Sequence, residues 1–135
     1  MIIAGTGIDI VENARIEIAI KNRSFVKKIF SKKEISNSKK LKNKISFFSK
    51  KFAAKEAFAK SLGTGFRDGL NFNDITIIND KLGKPYFLTT NKIKNLIKKK
   101  FKTTSFDFFL SISDEKKYSI AMVIFQKKWK LIKIF

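Results

Sequence analysis

The chain has 135 residues, 44% of them hydrophobic, with a formal net charge of +19, enough for one domain with its own core over residues 1–135. It contains no Cys and no His, which excludes disulfides, thiolate nucleophiles, imidazole bases and the usual zinc sites. Chemistry is left to carboxylates, lysines, hydroxyls and a hard metal, and only eleven acidic residues are present to choose from.

So strong a positive charge suggests a basic nucleic-acid-binding protein, the alternative to an enzyme. The composition weakens that reading. Only Arg15, Arg23 and Arg67 are arginine, the residue best suited to bidentate base and phosphate contacts. Lys, Ile, Phe and Asn together exceed half the chain, the profile of AT-rich codon drift, so part of the charge carries no functional message. Anionic partners and substrates are expected, with no nucleic acid. No apolar run is long enough for a membrane span and no basic leader opens the chain, so a cytoplasmic protein without a membrane role is expected.

In chain order, Met1 to Glu12 alternates as a strand, with Ile2, Ala4, Ile8 and Ile10 facing one way and Ile3, Gly5, Gly7, Asp9 and Val11 the other. Asp9 thus points from a face whose glycines admit close backbone approach by a ligand or another chain. Asn13 is placed to cap a helix from Ala14 to about Lys21, with Ile16 and Ile20 inward and Arg15 outward. Helical pieces starting at Ser24 and after Ser31 follow, and residues 37–44 read as a polar connection.

Phe47 to Gly65 is the central stretch. At about 100° per residue, Phe48, Phe52, Ala59 and Leu62 share an arc while Ala53, Ala54 and Ala57 lie opposite, so this helix is packed from two directions. Lys55 falls inside the aromatic arc and Glu56 on its edge, where charges bear a desolvation cost. The plainer reading pairs Glu56 with Lys60, at i and i+4, as a helix-stabilising ion pair. Gly63-Thr64-Gly65 follows the helix rather than preceding one, so it is no Walker loop. Gly63 reads as the helix C-cap, in a turn of amides able to receive phosphate.

Beyond it, Asp74 to Ile78 and Tyr86 to Leu88 are predicted strands joined by turn chemistry, and Thr90 to Lys100 an amphipathic helix. Phe106 to Ser113 and Tyr118 to Gln126 form a hairpin, and the tail KKWKLIKIF would extend the sheet or touch a membrane surface, with extension preferred. The class is α+β, a small antiparallel sheet packed against a long central helix.

Asp9, Glu56 and Lys60 would together suit a phosphorylated substrate, since Mg2+ takes one or two protein carboxylates and leaves places for water and phosphates. Four blocks, GIDIVE (7–12), FAAKEAFAKSLGTG (52–65), NDKLGKPYF (79–87) and LSISDEKKYSIAMVI (110–124), closely resemble the holo-[acyl-carrier-protein] synthase family of 4'-phosphopantetheinyl transferases. The resemblance implies that fold and a Mg2+-dependent transfer of phosphopantetheine from coenzyme A to a serine of acyl carrier protein, releasing adenosine 3',5'-bisphosphate. It implies Asp9 and Glu56 as metal ligands, Lys60 near the phosphates, Gly63, Thr64 and Gly65 near the cofactor, and Lys55 beside Glu56 as either a cofactor-binding, phosphate-facing charge or a structural one. Arg15, Lys21, Arg23, Lys27 and Lys28 would receive the acidic carrier, and the protein would be a homotrimer with sites at subunit interfaces. One departure is visible. Phe109 stands where many members have His, so removal of the serine proton would rest on Glu56, Asp9 or Asp114, directly or through a metal-bound water, with a water held by Mg2+ and Glu56 favoured. The same departure admits a further alternative, an inactive member of the family.

Overall fold

The computed structural model describes residues 1–67 and 69–128. Strand β1 (Ile2–Glu12) leads into three short helices, α1 (Asn13–Ala19), α2 (Arg23–Ile29) and α3 (Lys32–Ser38), and then the long helix α4 (Lys44–Ser61). A two-stranded sheet of β2 (Ile77–Asn79) and β3 (Pro85–Phe87) precedes helix α5 (Asn91–Phe101) and the hairpin β4 (Phe106–Asp114) and β5 (Tyr118–Lys127). The main sheet is antiparallel in the order β1-β5-β4, so the first strand pairs with the last. Helix α4 lies across it, and the α+β class expected from the sequence is the class observed.

Two apolar clusters flank α4, as expected, but Leu62, expected on the Phe48 side, packs instead with the alanines. Ala53, Ala54, Ala57 and Phe58 pack with the sheet and with Ile93 and Ile97 of α5. Phe48, with Phe47 and Phe52 beside it, packs against Ile16, Ile29 and Phe30 of the short helices. The small residues let the sheet come close. A Cβ built on Gly5 would stand 1.8 Å from the Ser61 carbonyl oxygen, and one on Gly7 1.8 Å from that of Ala57. The close approach that these glycines permit is therefore made by the chain's own helix, seated on β1 with its carbonyls against bare backbone.

Three local expectations are corrected. The alternation of β1 breaks at a bulge between Ile3 and Gly5, which turns Ile3 out to 63% exposure while Ala4 packs against the core. Asn13 does not cap α1. Its side-chain amide donates to the carbonyls of Glu115 and Lys116 and its oxygen accepts from Ser119, so it ties down the β4–β5 turn. The strand expected at Asp74 begins at Ile77, because the Asp74 carboxylate accepts from the Asn71 amide and closes a single 3-10 turn over Phe72–Asp74. The tail expectation falls mostly on residues 129–135, which lie outside the described residues.

Candidate active site

Registry across the sheet decides what meets α4. Gly7, Val123 and Leu110 form one inward row, and Asp9, Ala121 and Ile112 the next. Asp9 thus stands two residues beyond the glycine on which the Ala57 carbonyl rests. Glu56 precedes Ala57 and Lys60 lies one turn later, so all three charged groups converge where β1 crosses the helix.

Lys60 does not turn to Glu56. Its Nζ lies 3.1 Å from Asp9 Oδ1 and donates to the Ile8 carbonyl at 2.9 Å. Its side chain is 53% exposed and that of Asp9 only 16%, so the lysine reaches from solvent over a largely covered carboxylate. The pKa of Glu56 is raised above the ordinary carboxylate value, first by burial and then by the negative charge of Asp9, with Lys60 opposing both. Two carboxylates close enough to repel beside one cation are what a hard divalent ion would relieve. Among the described residues no group of three or more His, Cys, Asp and Glu is arranged to hold a metal, so an ion here would take most of its shell from outside the protein.

Helix α4 ends in the predicted turn. Gly63 has φ +78°, and its amide donates to the Lys60 carbonyl at 3.0 Å, while Gly65 donates to the Ala59 carbonyl at 3.2 Å. The turn therefore follows one helical turn beyond Lys60.

Lys55 is not at this site. It is fully buried, its Nζ is 2.6 Å from Glu34 Oε1, and it also donates to the carbonyls of Phe72 and Ile75. All its donors are consumed inside the protein, so the cofactor-binding assignment is corrected and the structural alternative holds. Burial lowers its pKa, opposed by the Glu34 charge and hydrogen bond. Glu34 completes the network by accepting from the Ser31 amide in a capping box and from the Ile77 amide. The Ser-x-x-Glu spacing signalled the capping box, but nothing in the sequence signalled that the same carboxylate binds Lys55.

Asp114 is also removed from the proton-acceptor candidates. It accepts from Ser46 Oγ at 2.8 Å, near the start of α4 and about 15 Å along the helix axis from Glu56. Phe109 aligns with Ile124 of β5 and through it with Thr6 of β1, on the outer face of the sheet, opposite Asp9. The missing imidazole leaves the cluster of Asp9, Glu56 and Lys60 intact. Arg15, Lys21, Arg23, Lys27 and Lys28 are all exposed along α1, α2 and the link between them, and none takes part in the ion pairs formed among the described residues.

The model of the 4'-phosphopantetheinyl transferase superfamily matches residues 5–123. A holo-[acyl-carrier-protein] synthase of Pelagibacter ubique (strain HTCC1062) is 65% identical over 128 residues, covering 95% of this chain and 100% of the relative. Among solved structures, the holo-[acyl-carrier-protein] synthase of Neisseria meningitidis superposes with a TM-score of 0.84 at 34% identity, over 93% of this chain and 100% of its own. That of Bacillus anthracis, in complex with CoA (3',5'-ADP), gives 0.78 at 34% identity, over 95% of this chain and 100% of its own. Matched from end to end by relatives of one kind, the chain belongs to the 4'-phosphopantetheinyl transferase superfamily and, within it, to the holo-[acyl-carrier-protein] synthases.

Proposed function

We propose that this chain transfers the 4'-phosphopantetheine group of coenzyme A to a serine of apo-acyl carrier protein and releases adenosine 3',5'-bisphosphate. The observation that carries the reading is the convergence of Asp9, Glu56 and Lys60 where β1 crosses α4, in a chain 65% identical to a holo-[acyl-carrier-protein] synthase. Relatives solved with coenzyme A, from Bacillus anthracis and Helicobacter pylori, support the donor substrate.

The serine oxygen forms a bond to the phosphorus bearing the pantetheine arm, and the bond from that phosphorus to the nucleotide's bridging oxygen breaks. Glu56, beside Asp9 where β1 crosses α4, would take the serine proton through a bound water. Lys60, mostly exposed and held over Asp9, would turn to an incoming pyrophosphate and offset charge on the departing phosphate. Asp9 and Glu56 would hold Mg2+, which supplies neutralisation of the pyrophosphate when bound. The Gly63–Gly65 turn, open on its outer side, would lie beside the nucleotide.

The exposed row of Arg15, Lys21, Arg23, Lys27 and Lys28 supports docking of an acidic carrier surface. The outer face of the main sheet supports a homotrimer, because Ile8, Ile10, Phe109 and Met122 are 62%, 59%, 49% and 44% exposed there. Incubation with apo-acyl carrier protein, coenzyme A and Mg2+, followed by mass spectrometry, should show the carrier gaining one phosphopantetheine, and chelation should abolish the gain. Arg15→Glu with Arg23→Glu should raise the carrier KM far more than the coenzyme A KM. A folded sample that leaves the carrier's mass unchanged would defeat the proposal.

A further inference from the structure

The C-terminal end of a helix is a poor place for phosphate. Its free carbonyls carry partial negative charge, and the anion would be repelled unless something answered them. At the end of α4 the Ala59 and Lys60 carbonyls accept from the turn's own amides. The Leu62 carbonyl accepts instead from Lys100 Nζ at 2.9 Å, a residue of α5 thirty-eight positions later, and the same ammonium donates to Thr64 Oγ1.

Lys100 differs from the other lysines ending α5. Lys98 and Lys99 are exposed, whereas Lys100 is half-buried, with its ammonium 5.4 Å from the centre of the Phe101 ring. Helix α5 is itself fixed by Ile93 and Ile97 in the core and by Phe101 against Phe125. The ammonium is thus delivered from a rigid element to the inner side of the turn. The outer side is open, since a Cβ on Gly63 or Gly65 would meet nothing within 4 Å. A hydroxyl that accepts from an ammonium keeps its own proton for another partner, so Thr64 is left able to donate outward.

We infer that Lys100 is a positioning residue for coenzyme A binding: it neutralises the carbonyl end of α4 and orients the Thr64 hydroxyl, so that the Gly63–Gly65 turn accepts a phosphate. This rests on the proposed function, which puts the nucleotide beside that turn.

The test combines steady-state transfer kinetics with calorimetric titration of coenzyme A into the full chain. Lys100→Met should raise the coenzyme A KM and Kd about tenfold, the worth of a charge-assisted contact, while kcat and the carrier KM stay within about twofold. Lys100→Arg should recover most of the loss, and Lys99→Met, with the same change in net charge, should do nothing. Thr64→Val combined with Lys100→Met should be no worse than the weaker-binding single variant, because both remove one arrangement. The inference is overturned if Lys100→Met leaves coenzyme A affinity unchanged, if Lys99→Met reproduces its effect, or if its losses in kcat and both KM values simply track lost folded protein. If the wild type binds coenzyme A without transferring, the functional reading falls while the titrations still decide the role of Lys100. Wild type that does neither removes both.

Discussion

Replacing Gly7 with Ala tests how the site is held together. The added Cβ would lie 1.8 Å from the Ala57 carbonyl oxygen and 2.9 Å from the Ser61 amide nitrogen, with backbone on the far side of both contacts. Real Cβ contacts essentially never fall below 3.0 Å, so α4 must retreat from β1 by about 1.2 Å, the difference between 3.0 and 1.8 Å. Overpacking costs about 1–3 kcal/mol when side chains can yield, and here only backbone is available, so a loss of about 3 kcal/mol is expected. For a domain of this size that lowers Tm by roughly 10 °C. The activity should fall much further. Asp9 is two residues along β1 and Glu56 adjoins Ala57, so the retreat opens the gap that Lys60 spans at 3.1 Å, and a displacement of about 1 Å in a reacting constellation costs ~100-fold. The assay is carrier modification at a temperature where thermal unfolding shows the variant fully folded, with Thr6→Ala on the outer face as a control. Ala57→Gly should not rescue Gly7→Ala, since the clash is with the carbonyl and not the side chain. A Gly7→Ala protein that keeps its Tm within about 2 °C and its full rate would refute the seating of α4 on β1 as the origin of the site.

Lys51, 5% exposed and donating to the Ile77 carbonyl, has its pKa lowered to about 8, chiefly by burial, so the folded state sheds its proton before the unfolded chain does at 10.5. Stability should therefore rise between pH 8 and 10.5, by about 3 kcal/mol more in the wild type than in Lys51→Met, and parallel denaturant titrations of the two across that range would contradict the assignment. Glu34→Gln leaves the Lys55 ammonium buried without its counter-charge and should cost about 3–5 kcal/mol in chemical denaturation, an effect absent if water reaches the pair. Lys60→Met should lower kcat at least tenfold while changing stability by less than about 1 kcal/mol, because its ion pair with Asp9 lies half in solvent. A loss of stability matching the loss of rate would make Lys60 structural.

The parts of this fold that periodicity governs were legible from the residues. The alternation of β1 beyond its bulge, the apolar stripe of α5 and the hairpin at residues 106–127 follow from side-chain direction alone, as does the placing of Asp9 on the glycine face. What resisted reading were side chains whose partners are distant in sequence. Asn13 has the right identity for a cap and the right position, but Ser119 and the carbonyls of residues 115–116 offer it more bonds than α1 does. Lys55 sits next to Glu56 in a motif whose resemblance leaves it either structural or facing the cofactor's phosphates. Only the arrival of α3 beneath α4 shows that Glu34 claims it. Net charge misleads in a related way, since Lys51 and Lys55 lie in the interior and Lys100 is half-buried, where they answer carbonyls and one carboxylate rather than a partner's phosphates.

That burial bears directly on the chemistry. Residues 55, 56 and 57 are consecutive on α4, so their directions differ by about 100° each. Lys55 is fastened to Glu34 and to the Phe72 and Ile75 carbonyls, and the backbone at Ala57 is seated against Gly7. The helix is held against rotation from two sides, with Glu56 between them. A rotation large enough to swing Glu56 away from Asp9 would either pull a buried ammonium off its carboxylate or drive a carbonyl into β1. Each is far costlier than the modest repulsion between two carboxylates that such a rotation would relieve. The raised pKa of Glu56 is therefore sustained by contacts made by its two neighbours, and the strain at the site is held by the fold rather than by the site itself.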